Sequence, residues 1–145
     1  MSKAIIKTAK GDMHVEFYDA DAPNTVKNFR ELAAKGFYNG LTFHRVIPNF
    51  VIQGGCPSGT GTGGPGYKFA DEPVQGNYRD GAVAMANSGP DTNGSQFFIC
   101  LGDQLGLPKQ YSLFGTTVAG LDVVKTISVG DVMTSVTIEE LPIEG

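Results

Sequence analysis

The sequence is poor in the residues that carry metal and covalent chemistry, with two histidines and two cysteines in 145 residues. His14 and His44 stand at no metal-ligand spacing with the cysteines or a carboxylate pair, which argues against a zinc-type centre. Cys56 and Cys100 could make at most one disulfide, too little for a disulfide-built scaffold. Both are expected reduced. Cys100 ends an apolar strand pattern and reads as a small buried hydrophobe, while Cys56, at the mouth of a glycine-rich loop, reads as partly exposed. No run of about 18 apolar residues is present to span a bilayer. There is no basic run of the kind that docks on anionic membranes. A net charge of −4 disfavours a sequence-independent nucleic-acid binder. The stretch from Met1 to Thr8 lacks the apolar core of a secretory signal, so the expectation is a cytoplasmic protein.

What is present fits one domain spanning residues 1–145, with 41% hydrophobic residues to fill its core. Ala4 to Thr8, a turn at Lys10-Gly11-Asp12, and the alternation of Met13, Val15 and Phe17 with polar neighbours predict a hairpin with one buried face. Pro23 suits a first helical turn. Val26, Phe29, Leu32 and Ala33 then mark one helical stripe, and Gly36 its left-handed cap. Strands are predicted at Leu41 to Ile47, Phe50 to Gln53, Ala82 to Ala86, Gln96 to Leu101, Leu113 to Val118 and Ser135 to Leu141. A second short helix is predicted from Gly120 to Ile127. Gly54 to Gly66 reads as a loop. Many short strands with two helices favour a sandwich or closed barrel whose ends the helices could plug.

The stretch Phe43-His44-Arg45-Val46-Ile47-Pro48-Asn49-Phe50-Val51-Ile52-Gln53-Gly54-Gly55 stands out. Strand alternation would place Phe43, Arg45 and Ile47 on one face and His44 and Val46 on the other. Phe50 and Ile52 would likewise oppose Val51 and Gln53. Arginine is out of place in a β-branched, aromatic strand unless it is paired or lines a site. A second Gln/Phe-rich strand at Gly94 to Cys100 supports a concave site that holds one cation among aromatic and amide groups.

Other motifs fail their structural tests. Gly61-Thr62-Gly63-Gly64-Pro65-Gly66 matches the dinucleotide fingerprint, but Pro65 and Tyr67-Lys68-Phe69 stand where its helix should begin. Gly94-Ser95-Gln96 lacks the glycine of a nucleophile elbow. A Cys56–His44 pair has no third orienting group, and His44 is expected to hydrogen-bond locally. The surviving set is Arg45, Phe50, Gln53, Asn87, Gln96, Phe98 and the pair Leu107 and Tyr111. It offers a cation, amides and aromatics, but no nucleophile and no evident general base.

Such a site can bind and polarise, and one reaction lies within that limit: rotation about a peptide bond. The barrier is ~18–20 kcal/mol because twisting destroys amide resonance. X–Pro bonds populate both isomers and exchange in tens to hundreds of seconds. At the half-twisted state the proline nitrogen regains its lone pair, so a nearby guanidinium binds that state more tightly than either planar form. Raising such rates to a typical turnover needs about 10³-fold, roughly 4 kcal/mol. One pre-aimed donor in a dry site contributes about 3–4 kcal/mol.

At this point the sequence resembles the cyclophilins, the peptidyl-prolyl cis-trans isomerase family whose members often bind cyclosporin. Phe43 to Gly55 is similar to the family's first signature and Met85 to Cys100 (MANSGPDTNGSQFFIC) to its second, with Gly61 to Gly64 between them. The resemblance covers nearly the whole chain. It implies a closed eight-stranded antiparallel β-barrel capped by two α-helices, with no cofactor and no metal. It also implies Arg45 as the catalytic arginine, Phe50, Phe98 and Leu107 as the proline pocket, and Val51 where many relatives carry methionine. Gln53 would orient Arg45, and the Asn87 backbone would bind the substrate main chain. Ala86, Ser88, Thr92 and Gln96 would line the path to a neighbouring pocket edged by Gly61 and Thr62.

Two departures stand out. Tyr111 replaces a histidine common in relatives, keeping an aromatic wall and a hydroxyl. The chain has no tryptophan, and Leu105-Gly106 occupies the region where many relatives place one, so cyclosporin is expected to bind with reduced affinity. The implied partners are proline-containing peptides and unfolded or partly folded proteins, met by a monomer, with no nucleic acid or membrane. Two other readings remain open: a module that binds proline peptides without catalysis, and a barrel that stores a small apolar ligand. The second would need an open interior, whereas the large apolar strand residues suggest a filled one.

Overall fold

The structure is a computed structural model and describes residues 2–140. The chain begins with a hairpin, β1 (Ser2–Thr8) and β2 (Gly11–Phe17), in which Thr8 pairs with Gly11 and Lys3 with Glu16. Helix α1 (Pro23–Ala34) follows, then β3 (Arg45–Ile47), β4 (Val51–Gly54), β5 (Ala82–Met85), β6 (Phe97–Cys100), β7 (Leu113–Ala119), α2 (Leu121–Val124) and β8 (Ser135–Glu140). The strands form one antiparallel sheet in the order β3-β4-β6-β5-β7-β2-β1-β8, which curls into a half-barrel. The predicted end of β8 at Leu141 lies outside the described residues.

The expected closed ladder is not formed among the described residues. β3 and β8 are the two edges and do not pair with each other. What joins that side is an isolated bridge, Thr42 to Val132, together with backbone bonds from Gly40 to Met133 and from Phe43 to Asp131. The cause is local. Only three residues of the predicted Leu41–Ile47 strand are regular, and Phe43 and His44 belong to no strand. Phe43 and Val46 both pack into the main core, so they share a direction that strict alternation would have denied them.

Helix α1 forms as its pattern predicts, with Val26, Phe29, Leu32 and Ala33 buried. It ends in a Schellman closure: Gly36 N–H donates to the Ala33 carbonyl and Phe37 N–H to the Leu32 carbonyl, with Gly36 at φ 74°. The stripe covers the concave face of the sheet, where Phe29 stacks on Tyr38 at 4.8 Å and meets Phe97 and Phe114 at 5.4 Å. That interior is filled by buried aromatic and aliphatic side chains, unlike the open one a stored apolar ligand would need. Helix α2 is shorter than its Gly120–Ile127 pattern. After Val124 the bonds tighten, Thr126 N–H reaching the Val123 carbonyl, but Val124 and Ile127 are still buried as the spacing requires.

Gly36 and Gly55 separate two costs of adding a methyl group. At Gly36 an added Cβ would meet only Asn39, at 3.4 Å, so Gly36→Ala should lose about 1 kcal/mol to left-handed strain. At Gly55 (φ 89°) it would come 2.5 Å from the Ser95 carbonyl oxygen and 2.9 Å from the Tyr38 ring. Gly55→Ala should therefore lose more than about 3 kcal/mol. Urea unfolding of both variants checks the order, and a Gly36 loss equal to or above the Gly55 loss would contradict it.

Candidate active site

Antiparallel register builds the site. Arg45 on β3 lies opposite Gln53 on β4, Gln53 opposite Phe98 on β6, and Phe98 opposite Ala84 on β5. These four therefore share one row on one face. The next positions, Val46, Ile52, Ile99 and Val83, form a parallel row on the other face and enter the main core. A second, smaller apolar cluster lies on the Arg45 face, where Val51, Ala84, Phe98 and Leu113 pack with Phe50, Leu107 and Tyr111.

On this cluster opens a cavity of about 170 Å³, lined by Arg45, Phe50, Val51, Gln53, Ala86, Asn87, Phe98, Leu107 and Tyr111. It is smaller than the ~300–1,000 Å³ of sites for drug-sized ligands, and suits one small ring. Its floor is Phe98, 5% exposed, and Val51, 2% exposed. The Tyr111 ring stands edge-on to Phe98 at 5.4 Å and 84°. Tyr78 fixes that wall: its hydroxyl donates to the Tyr111 carbonyl at 2.6 Å and accepts from the Tyr111 N–H at 3.1 Å. Burial pushes the Tyr78 phenol up to about 12. Phe50 departs from the predicted alternation. It precedes the first regular residue of β4 and turns toward Val51 and Gln53, away from Ile52.

At the rim, Arg45 is exposed to solvent and pairs with no carboxylate among the described residues. Its Nη1 donates to Gln53 Oε1 at 3.2 Å. Gln53 Nε2 donates to Gln96 Oε1 at 3.2 Å. Gln96 Nε2 in turn donates to the carbonyl oxygens of Gly61 and Gly63, each at 2.9 Å. Asn87 Nδ2 donates to the Gln110 carbonyl at 2.8 Å, while the Asn87 main chain takes no backbone partner among the described residues.

A second cavity, about 420 Å³, adjoins the first through shared Gln53, Ala86 and Asn87. Gly61, Thr62, Ser88, Thr92 and Gln96 line it. Every residue expected at the site therefore falls on one of the two cavities, and the two adjoin. Thr92 Oγ1 shapes the turn between, accepting from Ser88 N–H and donating to the Gly89 carbonyl. Pro65, Tyr67 and Lys68 also line the second cavity. The sequence carried no signal for them, since nothing in the residues after Gly64 tells where an aperiodic loop returns. A third hollow, about 470 Å³ between α1 and β8, contains none of the expected residues, and its Arg30 is ion-paired with Glu140.

Two expectations are corrected here. His44 makes no local hydrogen bond: its Nδ1 is buried without a partner, and the ring lies beside Gly61. Burial, then the Arg45 charge, lowers its pKa. Cys56 is 1% exposed, not partly exposed, because the loop folds around it. Gly61 and Gly63 N–H donate to its sulfur at 3.3 and 3.2 Å, and Ser58 Oγ lies at 3.3 Å. Burial alone would push this thiol up, but the Ser58, Gly63, Gly61 and Thr60 bonds bring it down to about 6. Cys100 behaves as an apolar residue, buried and raised to about 12 by desolvation. Both cysteines are free.

The Cys56 shift has a stability consequence. An unfolded thiol titrates near about 8.5, the folded one at about 6. Between those values the unfolded state holds the extra proton, so stability rises with pH, by at most about 1.4 kcal/mol per unit. It is lost as pH falls through the folded value. Urea unfolding across this window should show a steeper rise in the wild type than in Cys56→Ala, which keeps only the contribution of other groups such as His44; identical slopes would contradict it.

Comparison with known proteins follows the same lines. The family model described as cyclophilin type peptidyl-prolyl cis-trans isomerase/CLD matches residues 3–144. A peptidyl-prolyl cis-trans isomerase of Synechococcus elongatus is 51% identical over 140 residues, covering 95% of this chain and 97% of the relative. Peptidyl-prolyl cis-trans isomerase B of Bacillus subtilis is 54% identical over 127 residues, covering 86% and 88%. A cyclophilin type isomerase of Cryptosporidium parvum, solved in the presence of the dipeptide Ala-Pro, superposes with a TM-score of 0.88 at 33% identity, covering 96% of this chain and 99% of that one. With both signatures folded onto two adjoining cavities and the match running almost end to end, this chain belongs to the cyclophilin-type peptidyl-prolyl cis-trans isomerases.

Proposed function

We propose that the chain accelerates cis-trans rotation about X–Pro bonds without covalent chemistry, and that the smaller cavity is where rotation occurs. The observation that carries this reading is Arg45, a cation with no carboxylate partner among the described residues, steadied by Gln53 at the rim of an apolar hollow. The proline ring would rest on Phe98, Val51, Leu107 and Phe50. The peptide segment before it would bond to the Asn87 main chain, which takes no backbone partner among the described residues, and run toward the second cavity. As the imide twists, its nitrogen becomes an acceptor and the guanidinium stabilises that geometry over both planar ones. Nothing in this scheme requires a nucleophile, a metal or a cofactor.

The substrates on this reading are proline-containing segments of peptides and of unfolded or partly folded proteins, met in the cytoplasm by a monomer that is a single isomerase domain. Cyclosporin would bind more weakly than to relatives that carry an indole, since the exposed Leu105 stands in that region and offers no N–H donor.

Arg45→Ala should lower kcat/KM on a proline tetrapeptide about a hundredfold, with an unchanged circular dichroism spectrum. A protease-coupled isomerisation assay measures it. Wild-type turnover in the variant would remove the mechanism, and a wild-type protein that binds the peptide without speeding its exchange would make it a binding module.

A further inference from the structure

An amide side chain has a donor end and an acceptor end, and only its surroundings decide which points where. For Gln96 the backbone decides. Its Nε2 lies 2.9 Å from each of two carbonyl oxygens, those of Gly61 and Gly63, which can only accept. Its Oε1 is thereby turned to Gln53 and takes the Gln53 Nε2 hydrogen at 3.2 Å. That leaves Gln53 Oε1 as the end facing Arg45 Nη1, at 3.2 Å. Reversing either amide would set two acceptors or two donors against each other. The glycines are held in turn, both N–H groups donating to the buried Cys56 sulfur.

We propose that Gln96, seated through Gly61 and Gly63 on Cys56, is a positioning residue for Arg45. It fixes the Gln53 amide so that oxygen, and not the NH₂ group, meets the guanidinium. This rests on the reading that Arg45 acts on the twisting imide, and it gives Gln96 work beyond lining the second cavity. Without Gln96 the Gln53 amide turns over freely, and in half of its orientations it repels the cation. An exposed arginine so released spreads over many rotamers, and a donor that must reorganise during the reaction is a weaker catalyst than one already aimed. The relay also lets the glycine loop influence the reaction without touching proline. Cys56 contributes as a buried acceptor of two N–H groups, and no chemical change of the thiol is involved.

The test measures kcat and KM by NMR exchange on two substrates, a blocked Ala-Pro dipeptide and a longer tetrapeptide. Gln96→Leu should lower kcat about tenfold on both, with KM near wild type. The Arg45 guanidinium resonances, of which Nη1 makes the bond to Gln53, should shift toward those of a freely rotating guanidinium. Because the relay acts in series, Gln53→Leu and the double variant Gln53→Leu/Gln96→Leu should fall to the same level. Cys56→Ala, acting two steps away, should lower kcat in the same direction and serves if Gln96→Leu does not fold. Unchanged kcat and an unmoved Arg45 resonance would overturn the proposal, as would a KM rise confined to the longer substrate. Arg45→Ala run alongside separates the two readings. Wild-type kcat there removes the role of Arg45, whereas a crippled Arg45→Ala beside an unaffected Gln96→Leu removes the relay alone.

Discussion

Strand register between β3, β4, β6 and β5 is the constraint on which the site depends. Side chains in a pleated sheet alternate between faces, so a slip of one residue would exchange the row Arg45, Gln53, Phe98 and Ala84 for the row Val46, Ile52, Ile99 and Val83. The first row would then be driven into the aromatic interior under α1, and a guanidinium there would be buried without a counter-charge. The apolar row would be left facing water. Both penalties disfavour the slip, so the burial that stabilises the fold also sets where the cation stands. Fold and site are coupled through parity.

The site divides its tasks between two kinds of environment. Below the rim, Phe98, Val51 and the Tyr111 ring, whose main chain is bonded to the Tyr78 hydroxyl, make an apolar lining. At the rim, the polar groups are joined end to end, from Arg45 through Gln53 and Gln96 to the glycine loop around Cys56. An amide undergoing rotation needs both, a dry surface that holds one half still and a directed donor for the half that turns. The loop residues Gly61 and Gly63 are poor candidates for chemistry, yet their carbonyls set the polarity of the chain of amides.

Much of this was legible in the residues. The alternation of β2, the α1 stripe with its glycine cap, and the unusual arginine among strand-forming residues each carried a local physical signal that the structure repeats. The two signature stretches contain Arg45, Phe50, Val51, Gln53, Ala86, Asn87, Ser88, Thr92, Gln96 and Phe98, while Gly61, Thr62, Leu107 and Tyr111 lie outside them. What was not legible came from departures from regularity. The break in strand regularity at Phe43 and His44 placed Phe43 and Val46 on one side and left β3 and β8 unpaired, with only the preceding segments around Thr42 and Val132 bonded to each other. Phe50 turned with Val51 because it lies before the ladder begins. Cys56 was misjudged because a glycine loop is aperiodic. Its closing around a sulfur depends on backbone donors, which side-chain patterns do not encode. Tyr67 and Lys68 reach the second cavity for the same reason, by the path of a loop.

The mechanism requires one guanidinium, set by register, within reach of an imide held on the apolar floor. A high-resolution structure of the protein with a bound Ala-Pro peptide tests it most directly. The prolyl ring should lie on Phe98, Val51 and Leu107, with an Arg45 nitrogen within about 3.5 Å of the imide group. A ring bound elsewhere, in the hollow between α1 and β8 for instance, or an Arg45 side chain turned out to solvent while the ring fills the smaller cavity, would contradict it.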